Sequence, residues 1–199
     1  MNQEANIQDD PYVYPGTSIL RNLADIRDAG RLERFESDHC FVRLLELYEN
    51  PVPPGFDLNH LKRIHHHLFQ DVYAWAGEFR TVNMAKGNSF FARPEYVIPE
   101  LEKVLDLLAS ERFLRGTDSQ RFCERAAHFF GEMNAVHPFR EGNGRTQREF
   151  IRQLASHNGF ELDWSRTSRD RMMEASILSL RKGNCSLLTD IIRAALTNQ

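Results

Sequence analysis

The chain has 199 residues, 41% hydrophobic and 27% charged, the balance of a globular protein with enough length for one sizeable core. Its net charge of −3 gives no basic signature for nucleic acid, and no apolar run reaches membrane-spanning length. Cys40, Cys123 and Cys185 are odd in number and scattered, which suits reduced buried thiols in a cytoplasmic protein and excludes a disulfide framework.

Residues 1–10 are polar and acidic, unlike a secretion leader, and read as a flexible tail before one domain over residues 11–199. After a Pro/Gly/Tyr entry segment, Thr17 or Ser18 is expected to cap a helix through Leu20, Leu23 and Ile26, with Gly30 as an interruption. Residues 32–48 then carry Phe41, Leu44, Leu45 and Tyr48 at helix spacing. Pro51, Pro53, Pro54 and Gly55 break the pattern. Asp57 is the expected cap of a helix reaching about residue 72. It contains His65, His66 and His67. Consecutive helical positions point apart, so the three cannot share one metal ion, and the reading is against a metal site there, with one of them left to support the core.

Residues 80–84 are a short extended candidate, 86–89 a turn, and Phe90 and Phe91 the returning strand, although from the residues alone a plain loop serves equally well. Two adjacent phenylalanines in such a hairpin suit a binding surface. Pro94 opens a helix with Ile98, Leu101, Val104, Leu105 and Leu108 on its apolar face. Asp118 or Ser119 caps a long helix striped by Phe122, Ala126, Phe129, Phe130, Met133 and Val136, which stops at His137 and Pro138. A further helix follows to about His157, where Asn158 and Gly159 end it. Helical patterns over residues 169–181 and 186–196 close the chain, with Met172 and Met173 as core filler. The fold class is therefore mainly α, a helical bundle with one small β-hairpin.

The densest chemistry lies at residues 137–148, which read His-Pro-Phe-Arg-Glu-Gly-Asn-Gly-Arg-Thr-Gln-Arg. Gly142, Asn143 and Gly144 form a turn able to gather backbone N–H groups into an anion site, and the helix opening there adds its dipole. Glu141 beside that cradle is the kind of single carboxylate with which magnesium binds a polyphosphate. Arg145 and Arg148, three apart, share a helix face and match phosphate oxygens. His137 is a proton acceptor for an attacking hydroxyl, and Phe139 is an apolar anchor for the loop. Each residue alone has a structural explanation; their coincidence within twelve positions carries the functional reading.

This stretch resembles the signature of the Fic family, His-x-Phe-x-Asp/Glu-Gly-Asn-Gly-Arg-x-x-Arg, at every fixed position. The likeness extends over about residues 11–195, including residues 64–80 with their Trp75-Ala76-Gly77 run. It implies the Fic fold, with flanking helices, and a protein AMP transferase that moves AMP from ATP to a Ser, Thr or Tyr hydroxyl of a target protein and releases pyrophosphate. It further implies His137 as general base, Glu141 as the magnesium ligand, the backbone of Gly142, Asn143 and Gly144 as the anion hole with Asn143 touching phosphate, Arg145 on the outer phosphates and Arg148 on the γ-phosphate. Residues 78–92 would be a flap that docks the target by strand addition.

The family's inhibitory pattern, Ser/Thr-x-x-x-Glu followed by Gly or Asn, has no full match in this chain. The resemblance then implies a toxin restrained by a separate small antitoxin whose Glu binds Arg148. Type II topoisomerase ATPase subunits are a target class, with no membrane or direct nucleic-acid partner. Two alternatives stand beside this reading. One is a kinase or other nucleotide-diphosphate transferase on the same fold, although the kinase branch has Lys where this chain has Gly144. The other is a non-catalytic nucleotide-binding interaction module.

Overall fold

The computed structural model describes residues 10–86 and 89–197. The tail expected at residues 1–10 lies outside them up to residue 9, while Asp10 pairs with Arg140 at 2.8 Å. Residues 10–28 form no helix, contrary to the cap expected at Thr17 or Ser18. The chain instead closes a bridge between Val13 and Leu20. Side chains provide local partners that compete with helical bonds. Thr17 Oγ1 donates to the Tyr14 carbonyl and accepts from the Ile19 N–H. Asn22 Nδ2 donates to the Leu20 and Ile26 carbonyls.

α1 (Ala29–Glu49) begins instead at Asp28, whose side chain accepts from the Arg31 N–H, and it passes through Gly30 without interruption. α2 (Leu58–Phe69) is capped by Asp57, which accepts from the His60 N–H. The hairpin is shorter than its sequence suggested and shifted along the chain. β1 (Ala85–Lys86) pairs antiparallel with β2 (Ser89–Phe90), and Ala85 faces Phe90. The expected strand at residues 80–84 is absent because Arg80 bonds the loop after α4: its N–H donates to the Pro138 carbonyl at 2.9 Å.

α3 (Pro94–Ser110) starts on its proline, and α4 (Ser119–Val136) on the Asp118 cap. α5 (Asn143–His157), α6 (Arg169–Lys182) and α7 (Ser186–Ala195) complete the bundle. α4 lies at the centre, against α3, α5, α6 and α7, while α2 joins α1 to α5. The α4 stripe at Phe122, Ala126, Phe129, Phe130 and Met133 is fully buried, as its spacing predicts. The α1 pattern is misleading. Leu32, Cys40 and Leu47 are buried, whereas Phe41 is 61% exposed and Leu45 and Tyr48 also face outward. Cys40 and Cys123 are buried free thiols and Cys185 is half-buried.

Candidate active site

The α4–α5 connection bends sharply. His137 closes α4 with its N–H on the Met133 carbonyl at 3.0 Å and adopts a left-handed backbone, φ 52° and ψ 64°. A non-glycine residue takes that conformation at a cost and needs surroundings that hold it. Phe139 is buried as expected, with its ring 3.9 Å from that of His65 and nearly parallel to it. Asn143 closes the loop on itself: its Nδ2 donates to the Phe139 carbonyl at 2.7 Å and its Oδ1 accepts from the Phe139 N–H at 2.8 Å. The Asn143 carboxamide thus engages its Oδ1 and one of its two Nδ2 hydrogens within the loop.

Gly142 is the N-cap of α5 with φ 78°, and a Cβ there would lie 2.2 Å from Phe69 Cζ. Only glycine fits both the conformation and the approach. As a glycine it also offers no side chain to cap the first-turn N–H groups of α5, which have no acceptor within the helix.

The three consecutive histidines diverge. His66 is exposed, His67 reaches Glu46 at 3.0 Å, and His65 is buried. His65 Nδ1 accepts from the Gly77 N–H at 2.8 Å and its Nε2 donates to the Glu141 carbonyl at 3.1 Å. Burial pushes its pKa down to about 3, so the ring is neutral and can fill both roles at once. One side chain therefore fastens the Trp-Ala-Gly turn to the signature loop.

His137, Glu141, Gly142, Asn143, Gly144, Arg145 and Arg148 all line one cleft of about 590 Å³. α1 brings Glu33 and Glu36 to it, and α6 brings Met172, Met173 and Ile177; Met172 is buried in the core as expected of filler and also borders the cleft, whereas Met173 is not among the core residues. Phe91, just after β2, also lines it and stacks on His137, whereas Phe90 is 79% exposed. The adjacent phenylalanines thus serve two different surfaces.

The charges in the cleft are unevenly matched. Arg145 lies 2.5 Å from Glu36 and 4.7 Å above the Phe69 ring. Tyr73 donates its hydroxyl to the same Glu36 carboxylate; burial and that carboxylate hold the phenol protonated. Arg148 has no carboxylate within ion-pair distance among the described residues, and burial together with the nearby Arg145 charge lowers its pKa. A half-buried cation beside an uncapped helix N-terminus is a site for an anion. Glu141 Oε1 accepts from the Gly142 N–H at 2.8 Å, and Oε2 has no partner among the described residues. Glu141 lines the cleft, and a single carboxylate is the kind of ligand that magnesium takes beside phosphate oxygens. Sequence reasoning assigned no role to Glu36, Tyr73 or Arg80, and left one unspecified histidine of residues 65–67 to support the core, which the buried His65 does. Glu36 is 109 positions from Arg145, so no local spacing could have joined them.

The Fic/DOC family matches residues 55–155. The chain is 47% identical over 188 residues to the protein adenylyltransferase VbhT of Bartonella schoenbuchensis, covering 94% of this chain and 39% of that protein. It therefore spans well under half the length of VbhT. It is 40% identical over 190 residues to the probable protein adenylyltransferase y4lH of Sinorhizobium fredii, covering 94% of this chain and 97% of that protein. Among solved structures it is similar to BepC of Bartonella tribocorum with bound AMPPNP: TM-score 0.90, 28% identity, 94% and 97% coverage.

Proposed function

The chain belongs to the Fic/DOC family, and on that premise we propose that it is a protein adenylyltransferase. It moves AMP from ATP to a Ser, Thr or Tyr hydroxyl of a target protein. The observation that carries this reading is the shared cleft: a proton acceptor, an uncapped helix N-terminus and an arginine with no acidic partner among the described residues face one volume.

His137 takes the proton of the target hydroxyl. The hydroxyl oxygen bonds to the α-phosphorus, the bond to the bridging oxygen of the β-phosphate breaks, and pyrophosphate leaves. The backbone N–H groups of Asn143 and Gly144 at the start of α5 stabilise the developing charge, which is the largest kind of catalytic contribution in such sites; the Gly142 N–H, the third donor expected of the turn, is held by Glu141 Oε1 at 2.8 Å. Arg145, steadied by Glu36, holds the outer phosphates, and Arg148 the γ-phosphate. Glu141 would hold magnesium, which neutralises phosphate charge when bound. The hairpin at β1 and β2 offers a strand edge on which an extended target segment can pair.

The same reading makes the protein the toxin of a cytoplasmic toxin–antitoxin pair. Arg148 lacks an acidic partner among the described residues, and a Glu supplied by a small antitoxin would pair with it and exclude the γ-phosphate. A type II topoisomerase ATPase subunit is the target class. Incubation with α-labelled and γ-labelled ATP and a bacterial lysate tests the activity. Label transferred from the α position alone is expected, lost in His137→Ala and weakened in Glu141→Ala. Transfer from the γ position would replace the reading with a kinase, and nucleotide binding without transfer would leave an interaction module.

A further inference from the structure

Arg80 is 2% exposed, a guanidinium in the interior with no carboxylate in ion-pair distance among the described residues. Its guanidinium makes four hydrogen bonds, all to backbone carbonyls. Nε donates to His137 at 2.7 Å, Nη1 to Val82 at 2.6 Å, and Nη2 to Val136 at 3.1 Å and to Ala92. Two of these carbonyls end α4; the other two flank the hairpin on its two sides. The backbone adds matching links, from Arg80 N–H to Pro138 and from Ala92 N–H to Ala135.

A buried cation is costly unless its donors are satisfied. Carbonyls at a helix C-terminus are suited to it, because they carry the negative end of the dipole. No other side chain has a fork that reaches four acceptors in different directions; a lysine ammonium has three donors at one point. Through these bonds a single residue fixes the left-handed backbone at His137 and the Ala92 carbonyl next to Phe91, whose ring lies on the imidazole.

We propose that Arg80 is a positioning residue that couples the hairpin to His137, so that the imidazole is aligned only while the hairpin is seated. The inference rests on the adenylyltransferase reading for its catalytic consequence but not for its structural one. The protein should therefore be compared as wild type, Arg80→Lys and Arg80→Met by three readouts. Hydrogen exchange of the amides beside the hairpin and the NMR signals of the His137 ring should report coupling without any transfer reaction. Exchange should rise at least severalfold in Arg80→Lys and further in Arg80→Met, with the His137 signals broadened or shifted. ATP affinity should stay within about twofold, and kcat for AMP transfer should fall in the same order. Unchanged exchange and His137 signals in folded Arg80→Lys would overturn the proposal. So would an activity loss matched by an equal loss of ATP affinity and of overall melting temperature, the pattern of a merely structural residue. Absence of transfer in the wild type would sink the adenylyltransferase reading and leave the exchange result to decide the coupling.

Discussion

Phe91 lies flat on His137, with ring centroids 3.8 Å apart and planes 13° from parallel. The contact joins the residue that follows the hairpin to the residue that ends α4, 46 positions later in the chain. It restricts imidazole rotation from one side, while the Met133 and Arg80 bonds fix the backbone beneath it.

Phe91→Leu should therefore slow AMP transfer without weakening ATP binding. An aromatic pair contributes about 0.5–1.5 kcal/mol beyond its buried area, which corresponds to a loss of roughly twofold to tenfold in kcat. Steady-state transfer rates at saturating ATP check this, with ATP affinity measured by calorimetry. A tighter or looser ATP complex with unchanged kcat would show that the ring serves the nucleotide and not the base.

Glu36 holds Arg145 in the cleft and is itself held by Tyr73. Both members of the ion pair are largely shielded from solvent, so removing the Glu36 carboxylate leaves the cation with only Glu141, at 3.5 Å, as an acidic partner among the described residues. Glu36→Gln should lower the melting temperature of the nucleotide-free protein. Triphosphate should then restore more than it does in the wild type, because its oxygens replace the missing charge. Thermal melts with and without ATP measure both changes. Equal ATP-induced shifts in the two proteins would show that Arg145 does not reach the nucleotide.

The cleft also shows what a sequence discloses and what it conceals. Residues 137–148 were readable because their geometry is local: a proline stop, a glycine at φ 78° and a helix opening place seven residues on one cleft. The helix starts at Asp57, Pro94 and Asp118 were readable for the same reason. Glu36, Tyr73 and Arg80 act through partners brought close only by the packing of α1 and the hairpin, and nothing in their neighbourhoods signals it. The spacing of Phe41, Leu45 and Tyr48 finds the α1 helix but not its buried face: these three point outward, while Leu32, Cys40 and Leu47 meet the core. Periodicity identifies a face and not what covers it.

His65 gives the protein an acid-sensitive fastening. Its folded pKa is about 3, against an ordinary 6.5, because burial opposes the charged ring; His60 is lowered for the same first reason. Between these values the unfolded chain binds a proton at His65 that the folded chain does not. Its contribution is complete above pH 6.5 and is lost as the pH falls through the window, at about 1.4 kcal/mol per pH unit for one such group. His65→Gln removes the titration but also the Gly77 bond, so it should be less stable at pH 7.5 and lose less than the wild type between pH 6.5 and 5. Urea unfolding at these three pH values measures the slopes. Parallel slopes would mean that other groups dominate acid unfolding.

Gly142→Ala should injure folding and binding together. The new methyl would meet Phe69 at 2.2 Å, and φ of 78° is already unfavourable for any residue with a Cβ. Phe69 cannot yield easily: it is buried, its ring lies 4.7 Å from the His65 ring and it supports the Arg145 guanidinium from below. The conformational strain alone is about 1–3 kcal/mol, before the steric displacement is added. Relief requires the glycine turn to move away from Phe69, and that turn opens α5 onto the cleft. Two consequences follow: a lower urea midpoint, and ATP affinity reduced by more than the loss of folded fraction explains. Titration of ATP onto protein that is at least nine-tenths folded by circular dichroism separates them, with that fraction set as the working limit for about 1.4 kcal/mol of remaining stability. Ordinary ATP affinity in the folded variant would show that the nucleotide does not depend on this turn, and the anion hole would have to be sought elsewhere in the cleft.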